Sequence, residues 1–266
     1  MAIPNHLKKL SVGEVVKLFV RTVARRLEEL SKVDVVIVGA GPAGLACAWK
    51  LAEKGLRVLV LERMLGVGGG IRGGGMLLPL ALVEEGMGLD MVKELRVRME
   101  EVAPGLYAVD PTELVVALAH RAIQLGAKIW PGIFVEDLVV DYIDGKPRIG
   151  GVVINLSPII EAGWHVDPLY IESRAVVDAT GHDAYVAKLA IKKLRLGIEV
   201  KGLGPLAIWR GEEEVVASSG KLVDGLYVAG IAVGEIFGTH RMGPIVGGML
   251  ESGRRVAEQI CRDLGA

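Results

Sequence analysis

The feature that most constrains this chain is the hexapeptide Gly39-Ala40-Gly41-Pro42-Ala43-Gly44, because of where it stands. Before it runs Asp34–Val38, a short Val/Ile-rich stretch that reads as a buried strand. After it, Pro42–Lys54 has helical spacing, and Gly55 supplies a stop. A G-x-G-x-x-G run is weak alone. Between a strand and a helix it is the phosphate-binding turn of a dinucleotide fold. Gly39 allows the tight turn, Gly41 admits a pyrophosphate close to the backbone, and Gly44 lets helix and strand approach. The helix N-terminus then presents free N–H groups to the anion. Arg57–Glu62 reads as the next strand, and Glu62 stands where an acidic residue accepts hydrogen bonds from ribose hydroxyls, favouring NAD over a 2′-phosphorylated dinucleotide. Arg63 tempers that preference.

The rest of the chain extends this βαβ start. Ser11-x-x-Glu14 is a capping box ahead of a helix over about 11–30. A glycine-dense loop, Gly66–Gly75, precedes an expected helical region from about Met76 to Val97. Asp110-Pro111-Thr112-Glu113 starts a helix that stops at Gly126, and Lys128–Trp130 is a short strand. Val135–Tyr142 and Gly151–Leu156 flank Asp144-Gly145-Lys146-Pro147, which predicts an inserted β-hairpin over about 134–157. Ala175–Asp178 and Leu226–Ala229 read as buried strands, and a last helix covers about Ile245–Leu264. The expected fold is α/β: one Rossmann-like dinucleotide-binding domain over 1–266, with the hairpin or a small sheet inserted.

Composition excludes several function classes. Net charge is −1 with both signs interspersed, so no one-sided basic field for nucleic acid exists. No apolar run approaches the roughly 18 residues of a membrane span. Met1–Leu10 lacks the pattern of a signal peptide, which predicts a cytoplasmic protein. The two cysteines, Cys47 and Cys261, stand far apart in helical patterns, against a disulfide framework. Four side-chain amides beside abundant Glu, Lys and Arg suggest a heat-adapted source.

Three segments carry polar residues suited to chemistry. In Asp178-Ala179-Thr180-Gly181-His182-Asp183, His182 follows a buried strand, where α/β sheets bind ligands. With Asp167 of Gly163-Trp164-His165-Val166-Asp167-Pro168 it could hold a divalent metal or form a hydrogen-bonded structural pair. Asp183 reads best as the N-cap of the following helix. Arg241, in His240-Arg241-Met242-Gly243-Pro244, suits a bidentate contact to carboxylate or phosphate, or is a surface arginine. His6 and His120 have no assigned role.

The Gly39–Gly44 unit, Ala179-Thr180-Gly181 and Leu226-Tyr227-Val228-Ala229-Gly230 together resemble the glutathione-reductase-type superfamily, which usually holds FAD; the chain is short for its second nicotinamide domain. A more specific resemblance covers nearly the whole chain. Gly39–Gly44, Leu61-Glu62-Arg63, Gly68–Met76, Gly151–Asn155, His165–Pro168, Asp178–Asp183 and Arg241–Pro244, in that order, resemble the archaeal branch of the thiamine thiazole synthase family.

That resemblance implies that NAD is a substrate: nicotinamide leaves, the ADP-ribose rearranges to a ketone, glycine condenses as an imine, and sulfur addition with ring closure gives an adenylated thiazole carboxylate. It implies iron(II) at Asp167 and His182, the glycine carboxylate at Arg241, and the dinucleotide at Gly39, Ala40, Gly41, Glu62, Arg63, Gly70, Val135 and Ile231. It further implies that His165, Val166 and Asp167 reach a neighbouring subunit's ligand in a homo-oligomer, expected to be an octamer. Fungal and plant relatives carry a sacrificial cysteine two residues before the metal-binding Asp. Here that position is His165, which predicts a multi-turnover enzyme using free sulfide. One departure is Ile71-Arg72, where relatives usually carry Thr-Trp or a similar pair. Rival readings are an FAD-dependent oxidoreductase, an enzyme forming ribulose 1,5-bisphosphate, and a catalytically silent NAD-binding module.

Overall fold

The computed structural model describes residues 4–75 and 77–266. Helix α1 (Val12–Leu30) opens with the expected capping box: Glu14 N–H donates to Ser11 Oγ at 3.3 Å, and Ser11 N–H donates to Glu14 Oε2 at 2.7 Å. Strand β1 (Lys32–Val38), helix α2 (Pro42–Glu53) and strand β2 (Val58–Glu62) form the first βαβ unit. The two strands pair in parallel, Val38 opposite Leu61.

Residues 77–97 do not form the single helix that the apolar spacing predicts. They hold β3 (Ala81–Glu84) and the short α3 (Leu89–Glu94), with a turn between them at Gly86. Gly86 has φ +93°, which interrupts a helix, and β3 finds a partner farther along the chain. Met76, the expected start, lies outside the described residues. Strands β4 (Met99–Ala103) and β5 (Leu106–Val109) complete a three-stranded antiparallel sheet in the order β3-β5-β4.

Helix α4 (Pro111–Gln124) is capped by Asp110, which accepts from Thr112 and Glu113 N–H. Strand β6 (Lys128–Pro131) follows, then the hairpin of β7 (Ile133–Ile143) and β8 (Lys146–Leu156), and the short α5 (Ser157–Glu161). Strand β9 (Leu169–Asp178) is longer than its predicted piece because its first residues pair with β8 and its last with β1. Helices α6 (Tyr185–Leu194) and α7 (Ile208–Ser218), strands β10 (Gly220–Val223) and β11 (Leu226–Val228), and helices α8 (Ile231–Phe237) and α9 (Gly247–Leu264) finish the chain.

The main sheet runs β10-β11-β9-β1-β2-β6, parallel except at the β10 edge. Both faces are covered, so its central strands are apolar on both sides. Val35 and Ile37 pack with α2, α4 and α9, while Val36 and Val38 pack with the β7–β8 hairpin and α6. Helix α1 is the exception. Val12, Val15, Val16, Phe19, Val20 and Val23 recur at helical spacing, yet all are exposed, and α1 has no buried residue. Among the described residues no helix is long and apolar enough to cross a membrane.

Candidate functional site

The carboxyl ends of β1, β2, β9 and β11 open into a cavity of about 1500 Å³. This is the location at which open α/β sheets bind ligands. It is also larger than the roughly 300–1,000 Å³ of a drug-sized pocket.

The dinucleotide turn forms one wall. Gly39 has φ +105°, and a Cβ there would collide with the Ala179 carbonyl, so the first glycine serves both the turn and contact with the end of β9. Gly44 is required by contact with the Gly39 carbonyl. Gly41 differs: a Cβ there would meet nothing within 4 Å, and the residue lines the cavity. That open approach to a helix N-terminus fits a pyrophosphate.

Glu62 ends β2 at the same wall and is only 6 % exposed. Its Oε2 accepts the Ala40 N–H at 2.9 Å and its Oε1 the Met64 N–H at 2.8 Å. A carboxylate held by two backbone donors keeps lone pairs for ribose hydroxyls. Ala40 itself is fully buried and does not line the cavity: its N–H goes to Glu62 and its carbonyl accepts from Gly68 N–H at 2.7 Å. It therefore orients Glu62 and the glycine loop.

Gly39, Gly41, Glu62, Arg63, Gly70, Val135 and Ile231 all line the cavity, and His182 joins them. Asp183 is not a helix cap. Ala184, at φ +41°, is the residue before α6, and Asp183 Oδ2 instead meets Arg63 Nη1 at 2.7 Å. Arg72 also lines the cavity; its Nε donates to the Gly69 carbonyl at 3.2 Å, and its side chain lies along Gly66 and Gly68, where no Cβ blocks it.

Asp178, fully buried at the end of β9, shapes the His182 turn from below. It accepts from Thr180 N–H at 2.9 Å, Thr180 Oγ1–H at 2.7 Å and Ala187 N–H at 2.7 Å. Burial raises its carboxyl above the usual range, against the pull of those bonds. His182 Nδ1 lies 3.5 Å from Glu235 Oε1 of α8. In the sequence Asp178 has no role of its own within the Asp178–Asp183 segment, and Glu235 does not stand out at all. Each acquires its role from a contact made by folding, although a lone Asp closing an apolar strand is a usable signal for the first.

Five expected site residues stay outside the cavity of one copy: Ala40, His165, Val166, Asp167 and Arg241. His165 and Asp167 are exposed on the loop before β9, tethered where Asn155 Nδ2–H donates to the Val166 carbonyl at 3.0 Å. Asp167 precedes β9 and His182 follows it, so ten extended residues separate them, about 30 Å of contour. Among the described residues no group of three or more His, Cys, Asp or Glu side chains could hold a metal ion. One copy thus presents the His182 imidazole and no complete metal centre. Arg241 is exposed and, unlike Gly243–Val246 just after it, does not line the cavity.

Behind that wall, Glu84 of β3 and Glu212 of α7 form a buried carboxyl pair. Glu212 Oε2 accepts from Gly248 N–H at the start of α9, and among the described residues Glu212 Oε1 and both Glu84 oxygens find no donor outside the pair itself. Burial, then the Glu84 charge, pushes the Glu212 carboxyl up to about 9.

Comparison with known proteins decides the family. The sequence model of the Thi4 family matches residues 16–246. The chain belongs to the Thi4 family. Thiamine thiazole synthase of Pyrobaculum calidifontis is 48 % identical over 239 residues, 90 % of each chain. Its counterpart from Archaeoglobus fulgidus is 44 % identical over 261 residues, 98 % of this chain and 99 % of the relative. The crystal structure of Thermovibrio ammonificans THI4 superposes with a TM-score of 0.93 at 38 % identity, covering 97 % of this chain and all of that one. The Thi4-family fold therefore extends over nearly the entire length, including the hairpin and the three-stranded sheet.

Proposed function

We propose that this Thi4-family protein is a thiamine thiazole synthase that consumes NAD as a substrate. In this reading the bond between nicotinamide and ribose breaks, the glycine amine condenses with a carbonyl of the opened sugar with loss of water, and free sulfide supplies the ring sulfur. The observation that carries the reading is that the Gly41 turn, Glu62 and His182 open onto one cavity. The turn and Glu62 would clamp the ADP half while the ribose at the other end reacts beside the imidazole.

Iron(II) is part of the proposal, held by His182 with Asp167 of a second copy. Imidazole and carboxylate suit such an ion, and it would supply Lewis acidity with open coordination positions. The residues of one copy fit only half of that donor set, which supports a homo-oligomer, expected to be an octamer, whose sites lie between subunits. The exposed apolar stripe of α1 supports assembly as well, since such a stripe is normally covered by a partner. Arg241 would hold the glycine carboxylate.

The sulfur inventory supports free sulfide with many turnovers. His165 has no sulfur to give. Cys47 is fully buried and Cys261 nearly so, and burial raises both thiols, which disfavours the reactive thiolate. Working in the cytoplasm, the enzyme needs no nucleic-acid or membrane partner.

The test is anaerobic incubation with NAD, glycine, iron(II) and sulfide, followed by mass analysis of adenylated products. The expected product contains glycine atoms and sulfur from labelled sulfide, with the protein mass unchanged. A product formed without added sulfide, with loss of one protein sulfur atom, would overturn the sulfide reading. No glycine-containing adduct at all would overturn the synthase reading.

A further inference from the structure

The segment leading from α8 into α9 carries Arg241, and it is gripped from two sides. Its backbone pairs with the stretch before α7. Gly204 N–H donates to the Thr239 carbonyl at 2.9 Å, Arg241 N–H to the Pro205 carbonyl at 3.1 Å, and Ala207 N–H to the Arg241 carbonyl at 3.3 Å. Both backbone groups of Arg241 are therefore committed.

Helix α7 supplies the second grip. Glu214 Oε2 accepts the His240 N–H at 3.0 Å and lies 2.9 Å from His240 Nδ1. Its other oxygen accepts from Arg210 Nε–H at 2.7 Å, one helical turn back. These bonds hold the Glu214 carboxyl well below the usual range, at about 2, so it remains an anionic acceptor. Gly211 brings the helix backbone against the same two residues: a Cβ there would lie 2.7 Å from the His240 carbonyl oxygen and 3.1 Å from that of Arg241. One residue before Gly248, Gly247 is in turn pressed between Glu84 and the Met87 carbonyl, so the far end of the segment cannot shift freely either.

We propose that Glu214 is a positioning residue for the amino-acid substrate, fixing the peptide and ring of His240 and thereby the direction from which Arg241 meets the substrate carboxylate. The inference rests on the assignment of Arg241 to the glycine carboxylate in the proposed function. A guanidinium binds a carboxylate through two parallel N–H bonds, so it tolerates little angular error. Displacements of about 1 Å at such a contact cost up to roughly a hundredfold in rate. Arg241 has exposed surroundings and no side-chain partner among the described residues, so its aim depends on its backbone and on the residue before it.

The experiment compares wild type, Glu214→Ala and Glu214→Gln for incorporation of labelled glycine into the adenylated product, with NAD affinity measured separately by calorimetry. In Glu214→Ala the glycine KM rises about tenfold or more while kcat changes less and NAD affinity stays within about twofold. Glu214→Gln keeps a carbonyl oxygen for the His240 N–H and recovers most of the loss. An unchanged glycine KM in Glu214→Ala, or an NAD affinity that falls in parallel with it, overturns the positioning role. Failure of the wild type itself to incorporate glycine is a different result, and it overturns the synthase reading on which the inference stands.

Discussion

The Ala40 N–H, inside the dinucleotide turn, donates to the carboxylate of Glu62 at the end of the next strand, 2.9 Å away. One bond thus ties the glycine turn to the acid proposed to hold the ribose. Glu62→Gln preserves shape but turns an NH2 toward either the Ala40 or the Met64 donor. Leaving a buried donor unpaired costs about 1–3 kcal/mol. The melting temperature is expected to fall by several degrees, and NAD affinity measured by calorimetry by about tenfold or more. Unaltered affinity would remove Glu62 from the ribose site.

Asp167→Ala and His182→Ala are each expected to abolish turnover while NAD binding persists. If the site lies between subunits, co-assembly of the two inactive variants restores roughly a quarter of the wild-type sites, each built from one intact Asp167 and one intact His182. The check is activity after the two chains are expressed together. A site contained in one copy would give no recovery.

The Glu84–Glu212 pair makes stability depend on pH in a defined direction. Glu212 ordinarily titrates near 4.5 and is raised to about 9 in the fold, so between these values the folded chain holds a proton that the unfolded chain has released. Stability is full below the lower value and is lost as pH rises through the upper one. The melting temperature of the wild type should therefore decline from pH 5 to pH 9. Glu212→Gln should flatten that decline and raise the melting temperature at pH 8. A profile identical to wild type would mean that the pair carries no proton.

Phe19 is 68 % exposed at the middle of the α1 stripe. Phe19→Glu should leave the fold of one copy intact, because no core residue touches the change, yet lower the oligomeric state seen by light scattering. Activity should fall with it if each site is shared between neighbouring copies, as proposed. Unchanged assembly would assign the stripe to some other contact.

How far the sequence reaches depends on how local each signal is. The βαβ start, the Asp110 cap and the β7–β8 hairpin were legible because glycine, proline and cap residues act within a few positions of themselves. The stretch 77–97 was not, since the apolar spacing of Leu80, Leu82 and Val83 suits helix as well as strand, and β5 decides between them. Asp183 shows the same limit: it looks like a cap, but Arg63 lies within reach only after folding.

By itself, therefore, the sequence determined the dinucleotide turn, the acid that follows it, and the histidine at 165 that has no sulfur to give. The tertiary structure decided which of the polar residues share a space. It gathered Glu62, Arg63 and His182 around one cavity, left Asp167 and Arg241 outside it, and set Glu214 against His240. The reason is physical: a turn is fixed by dihedral preferences of adjacent residues, whereas a site is fixed by distances between strands and helices that only packing can set.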